Sequence, residues 1–314
     1  MSDPRTARVR IPASAANVGA GFDCIGFAVD RWLTASVTAS ADSGRGAPEV
    51  TIRRDGTLTS LTLAAADDAV VAGFIAACHA RGRALPRRLD FHVDSEIPVS
   101  RGLGASTAAL VAGASLANAA LELGLDRREL AELCTELEGH PDNVAPSVFG
   151  GAVLGVPEDR DGSRHWVFVP IELHGSLAFA FVVPPIPVET AAARAILPRD
   201  IPHSVAVRAA GKAAALAHGL VTGDAALLRV ALDDVLHVPY RRHLVPAYAE
   251  VVSAACTAGA FGATLSGSGS TLLAIAVQDV VEGVAEAMRQ AFADHGVVAE
   301  SFVQRTPLAP LLQA

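Results

Sequence analysis

Leu89, Phe91 and Val93 alternate with Asp90 and His92, the period-two pattern of a half-buried strand. Residues 9–11 and 35–38 have the same strand-like composition, so the N-terminal half opens as sheet. After the segment IPVSRGLG, residues 105–123 are rich in alanine and leucine with small side chains all round, which predicts a mostly buried helix stopped by Gly124. A second helix follows at once. Asp126 is placed to cap it with Glu129 three residues on, and Leu130, Leu133, Cys134 and Leu137 form one stripe before Gly139, leaving Glu129, Glu132 and Glu136 facing away. The next segment, EGHPDNVAPSVFGG, reads as a loop, and residues 155–163 are polar and turn-rich. That shift sets a domain boundary near residue 155 and divides the chain into 1–155 and 156–314. Beyond it, strand patterns at 166–169, 177–183, 262–265 and 271–277 interleave with helical patterns at 206–217, 246–258 and 281–292.

Composition narrows the picture by exclusion. With 51% hydrophobic and 18% charged residues in 314, the chain has ample material for a core, and no uninterrupted apolar run spans a bilayer. The opening MSDPRTARVR has no apolar signal-peptide core, so the expected location is cytoplasmic, with no membrane partner. Twenty-five basic against 33 acidic residues give −8 with no basic run, which argues against nucleic acid. Four scattered cysteines make no CxxC pair, and the histidines form no HExxH, so any metal should be carboxylate-bound. Lys212 is the single lysine and lies in no GxxxxGK[ST] context, which removes a Walker A nucleotide site.

The chemistry therefore concentrates in glycine-rich turns. In IPVSRGLGASTAAL, Gly102 and Gly104 stand between a strand and a long helix starting near Ala105. Glycines let backbone N–H groups approach a ligand, and the helix start adds unpaired donors and the positive end of its dipole, a cradle for polyphosphate. Ser106 and Thr107 offer hydroxyls in the first turn, equally consistent with helix capping. A dinucleotide loop fits poorly: Thr107 stands where GxGxxG needs a small third residue, and no acidic ribose partner follows a second strand, which disfavours an NAD-dependent oxidoreductase. Two further turns, SAANVGAGFDCIG and LSGSGSTLL, are either simple hairpins or parts of one gathered ligand site.

Taken together these segments resemble the GHMP kinase superfamily over nearly the whole chain. RIPASAANVGAGFDCIGFAVD is similar to its first motif, IPVSRGLGASTAA to its phosphate loop and GATLSGSGSTLLAI to its third motif. EGHPDNVAPSVFGG, VETAAARAILP and DDVLHVPYRRHLVP resemble, more narrowly, the homoserine kinase branch. The resemblance implies an α+β GHMP kinase fold: an N-terminal half like domain 2 of ribosomal protein S5, a ferredoxin-like C-terminal half, and an active site in the cleft between. It implies ATP and Mg²⁺ as cofactors, transfer of phosphate to the hydroxyl of L-homoserine on the way to threonine, and a homodimer. A mevalonate-type kinase or a non-catalytic nucleotide-binding module is the alternative.

Residue by residue, the resemblance assigns ATP to Pro98, Arg101, Gly102, Leu103, Gly104, Ala105, Ser106 and Thr107, with Asp68 in the segment near the adenine, where ADDAVV departs from the family's asparagine. Mg²⁺ falls to Ser106 and Glu132. Homoserine falls to Asn17, Asp23, His140, Asn143, Arg194 and Arg241. Asp23 would partner the ammonium, while the two arginines suit a carboxylate because a planar guanidinium grips it bidentately. Asn143, Asp23 and Thr190 are the implied catalytic positions, aligning the hydroxyl and the transferred phosphate without an obligatory strong base.

Overall fold

The computed structural model describes residues 4–40, 48–160 and 162–305. β1 (Arg5–Ala16) runs antiparallel to the long β2 (Ile25–Ser40), with a register shift at Pro12/Ala13, where proline has no N–H for the ladder. β3 (Glu49–Gly56) follows. α1 (Ala69–Ala80) leads to β4 (Arg88–Ser95), which lies parallel to β3 and antiparallel to β2. Along β2, Leu33, Ala35, Val37 and Ala39 are buried and their neighbours half-exposed, because only one face of the strand meets the helices.

α2 (Ala105–Leu121) crosses α1 at backbone contact. A Cβ on Gly73 would lie 2.0 Å from the Leu110 carbonyl oxygen, and one on Gly113 would lie 1.9 Å from that of Val70, so only glycine fits on both sides of the crossing. α3 (Arg127–Glu138) begins with the capping box expected from sequence: Asp126 accepts from the Glu129 N–H at 2.8 Å, and Glu129 accepts from the Asp126 N–H at 2.9 Å.

The segment expected as a loop after Gly139 is instead a helix, α4 (Pro141–Phe149). Pro141 suits its first turn, whereas Pro146 lies inside it and cannot bond the Asp142 carbonyl. That carbonyl lies over Gly26 of β2, where a Cβ would stand 1.8 Å from the oxygen, so the missing hydrogen bond and the missing side chain let helix and sheet approach closely. β5 (Ala152–Arg160) and β6 (Ser163–Ile171) then form a hairpin that completes a sheet ordered β3-β4-β2-β5-β6, with β1 on β2. The polar stretch at 155–163 is thus the outer part of this hairpin. The two sheets divide the chain between Ile171 and Leu177, later than the composition shift near 155, because exposed strands carry the same polar residues as linkers.

β7 (Leu177–Val183) opens the second sheet. α5 (Thr190–Ala195), α6 (His203–Thr222), α7 (Ala225–Leu232), the short α8 (Val238–Arg241) and α9 (Tyr248–Thr257) precede β8 (Gly262–Leu265) and β9 (Leu272–Val277). α10 (Val281–Asp294) and β10 (Glu300–Gln304) finish the described chain. The strands are ordered β10-β7-β9-β8, all antiparallel, the fourth-first-third-second arrangement of a ferredoxin-like half. Ala178, Ala180 and Val182 face α9 and α10, while Phe179 and Phe181 join the core of the first half, where Phe27 meets Phe179 with ring centroids 4.7 Å apart. No described helix is long and apolar enough to cross a membrane.

Candidate active site

The three glycine-rich turns meet. Ser14 N–H donates to the Leu103 carbonyl (3.2 Å), Gly267 N–H to Ala16 (2.8 Å), Thr271 N–H to Arg101 (3.0 Å) and the Ser266 hydroxyl to Gly102 (2.6 Å). Gly102 and Gly104 are left-handed (φ +77° and +68°), and a Cβ on Gly102 would stand 2.1 Å from the Ser266 carbonyl oxygen. One on Gly104 would stand 2.2 Å from Ser14 Oγ. α2 starts directly from Gly104 without a side-chain cap, so its first N–H groups are left for a ligand. Arg101 folds back, donating to the Val99 and Ser100 carbonyls, and stiffens the loop.

These turns form one wall of a cleft of about 320 Å³ whose other walls come from both halves of the chain. Arg101, Gly102, Leu103, Gly104, Ala105, Ser106 and Thr107 line it, together with Asn17, His140, Asn143, Thr190, Arg194 and Arg241. Asn143 accepts from Ser14 Oγ at 2.8 Å, which places its amide beside the loop. Asn17 and Asp23 both hold left-handed backbone, and Asn17 Oδ1 accepts from the Asp23 N–H.

Charge is arranged in pairs. Arg194 clasps Asp23 bidentately at 2.7 and 3.1 Å, and that hydrogen bond raises the arginine's pKa against the cost of burial. His140 Nδ1 lies 2.6 Å from Asp142 Oδ1. Burial opposes charge on His140, but the hydrogen bond and charge of Asp142 outweigh it and lift the imidazole above its ordinary value. Asp142 is fully buried, and its Oδ2 has no partner among the described residues. Asp23, His140 and Asp142 bring their side-chain oxygen and nitrogen atoms within 4.8 Å of one another. Nearby Cys24 is pushed up to about 11, chiefly by burial and then by Asp142 and Asp23, so it stays a thiol.

Four expectations need correction. Glu132 pairs with Arg128 at 3.1 Å, on the side of α3 where Arg128 also reaches the Trp166 carbonyl of β6, and does not line the cleft. Glu138 does, six residues and about 240° further round the helix, and it accepts from Thr107 Oγ1 at 2.8 Å. Asp68 caps α1 through the Val70 N–H and pairs with Arg54 at 2.7 Å, which occupies it structurally and away from the cleft. Pro98 flanks the lining residue Val99 without lining the cleft itself. Arg241, expected to present a full guanidinium to substrate, is 1% exposed and gives Nε to the Ala193 carbonyl (3.0 Å) and Nη1 to Gly267 (3.4 Å). Burial and then Arg194 lower its pKa, and it joins α5 to the third turn as much as it faces the cleft.

Glu138, Ser14 and Glu189 escaped the sequence reading. Glu138 had a readable signal, since it immediately precedes the stop Gly139 and stands two residues before His140, whereas nothing in the local pattern distinguishes Ser14 or Glu189.

The family description "GHMP kinases N terminal domain" fits residues 69–151 and "GHMP kinases C terminal" fits residues 214–294. Homoserine kinase of Picosynechococcus sp. is 36% identical over 295 residues, covering 94% of this chain and 95% of its own. That of Carboxydothermus hydrogenoformans is 36% identical over 297 residues, covering 95% and 93%. The crystal structure of homoserine kinase from Cytophaga hutchinsonii superposes with a TM-score of 0.85 at 28% identity, over 98% of this chain and 97% of the other. L. major mevalonate kinase, solved with R-mevalonate, shares the fold at TM-score 0.67 and 18% identity over 99% of both chains.

Proposed function

The chain belongs to the homoserine kinase family of the GHMP kinases, and from that premise we propose that it transfers the γ-phosphoryl group of ATP to the side-chain hydroxyl of L-homoserine, a step towards threonine. The observation that carries the reading is the single cleft in which a main-chain anion cradle faces paired charges suited to a zwitterion. The bond from the γ-phosphorus to the β,γ-bridging oxygen breaks, a bond from phosphorus to the homoserine oxygen forms, and the hydroxyl proton leaves to solvent.

On the donor side, the amides of residues 102–106 and the start of α2 hold the phosphates, with Ser106 at the loop's open side. The donor set fits Mg²⁺, because Glu138 supplies a hard carboxylate oxygen next to Ser106 and Thr107. Bound there, Mg²⁺ supplies charge neutralisation on the phosphates. On the acceptor side, the Arg194–Asp23 pair opens to the substrate, with the ammonium going to Asp23 and the carboxylate to Arg194 and the free edge of Arg241. Each half of the internal ion pair is thereby replaced by a matching half of the amino acid. Asn143, fixed by Ser14 beside the loop, orients the hydroxyl, and Thr190 at the cleft mouth approaches the transferred phosphate. Alignment and electrostatics provide the acceleration, since this transfer needs little covalent assistance.

Incubation with Mg-ATP and separate homoserine, mevalonate, galactose and shikimate tests the reading. ADP release with homoserine alone is expected; release with mevalonate alone would assign the mevalonate type, and none with any acceptor would leave a nucleotide-binding module. A homodimer is part of the proposal, and sedimentation equilibrium checks it.

A further inference from the structure

A groove of about 500 Å³ opens on the face built by β1, β2, α2, α3 and α4 and shares no residue with the catalytic cleft. Its floor is apolar, with Ile11, Val111 and Leu130 buried. Its polar lining is dominated by Arg8, Arg10 and Arg127, and Arg10 stacks over the Trp32 ring at 4.0 Å. Other arginines of this half, such as Arg54, Arg81 and Arg128, are ion-paired. Among the described residues these three have no carboxylate partner, and no acidic residue lines the groove. Asn118, the lining amide, is already consumed by the backbone of Leu125 in both directions.

Among the described residues β1 pairs only with β2, and charges on such an edge protect it from pairing with other chains, which would account for Arg8 and Arg10. It does not account for Arg127, which stands in the first turn of α3, where the helix dipole disfavours a cation. Three guanidinium groups without a carboxylate partner, lining one groove over an apolar floor, form a recognition site for an oxyanion attached to a hydrocarbon body. We infer that this groove binds an organic acid with an aliphatic body and no cationic group, a class that 4-methyl-2-oxopentanoate represents. An amino acid is disfavoured there by the same charges, since its ammonium would find no carboxylate and three like charges. The selectivity is the reverse of the catalytic cleft, where acids and bases alternate.

Trp32 and Trp166 are the two tryptophans, so a Trp166→Phe variant leaves Trp32 as a reporter inside the groove. Titration with 4-methyl-2-oxopentanoate should change its emission saturably, whereas leucine, with the same hydrocarbon body plus an ammonium, should leave it unchanged. Arg10→Ala and Arg127→Ala should each raise the apparent Kd about tenfold or more, the scale of one charge-assisted hydrogen bond. Calorimetric titration of the unaltered chain and of the two arginine variants gives the same comparison if Trp166→Phe does not fold. Absence of binding, equal binding of leucine, or affinity indifferent to both arginine substitutions would overturn the inference.

Discussion

The two walls of the catalytic cleft meet their ligands by different means. One is main chain: Gly102 and Gly104 in left-handed conformations, wedged against Ser266 and Ser14, present N–H groups whose positions are set by the surrounding backbone. The other is side chain: Asp23, Arg194, His140 and Asp142 neutralise one another in pairs that a substrate can redistribute. The first wall tolerates no added atom, whereas the second can lose one partner and keep its shape. Damage to the glycine wall should therefore reach folding and both substrates, and damage to the ionic wall should be selective for the amino acid.

Gly102→Ala should be the most severe change. The added methyl meets the Ser266 carbonyl and the residue must keep φ near +77°, so roughly 2–5 kcal/mol of stability should go. Denaturant titration measures that loss, and steady-state assays should show kcat falling roughly 10²–10³-fold as the donors shift. Retention of both near the unaltered values would dissolve the distinction between the walls.

Arg194→Ala comes next, and its effect should fall on one substrate. The homoserine KM should rise roughly 10–150-fold, the scale of a charge-assisted pair, with the ATP KM little changed. If ATP binding suffers instead, the carboxylate assignment is wrong. Arg241→Ala should mix the two behaviours, since the side chain also bonds the Ala193 and Gly267 carbonyls. A loss of about 1–3 kcal/mol in stability should accompany the weaker homoserine binding.

Glu138→Gln keeps the bond from Thr107 but removes the charge. The Mg²⁺ concentration for half-maximal activity should rise roughly 10–100-fold, the range seen when a metal's surroundings are disturbed. Glu132→Gln should leave it unchanged, and the reverse outcome would restore Glu132 to the metal.

The smallest effect concerns His140. Its folded pKa lies above the ordinary imidazole value, so the stabilising charge pair with Asp142 is fully present below that ordinary value and fades as pH rises through the raised one. Asp142→Asn should remove the pairing and leave burial in control, shifting the His140 titration downward when followed by NMR of the imidazole protons. An unmoved titration would show that Asp142 does not govern it.

Much of this was legible in the chain. The alternation of Leu89, Phe91 and Val93, the small-residue helix after Gly104 and the Asp126–Glu129 box are local signals, and each element formed where the pattern placed it. The glycines of the phosphate loop were readable because close backbone approach leaves a compositional trace. α4 was not, since two prolines mark a loop unless one knows that Gly26 receives the carbonyl that Pro146 leaves unbonded. Glu132 and Glu138 differ only in which face of α3 meets the cleft, and avoidance of the core is common to a solvated and a ligand-facing carboxylate. Asp68 shows the same limit, because its partner Arg54 lies on a strand, β3, that no local pattern announced.

The crossing of α4 over β2 reverses ordinary engineering advice. Replacing a strand glycine with alanine, or a mid-helix proline with a good helix former, commonly stabilises a protein. Here a methyl at residue 26 would collide with the Asp142 carbonyl, and an N–H at residue 146 would draw that oxygen into the helix ladder and away from the strand it lies over. Generic thermostabilisation of this chain would thus displace the turn bearing His140, Asp142 and Asn143, so both positions belong on a list of residues to leave untouched.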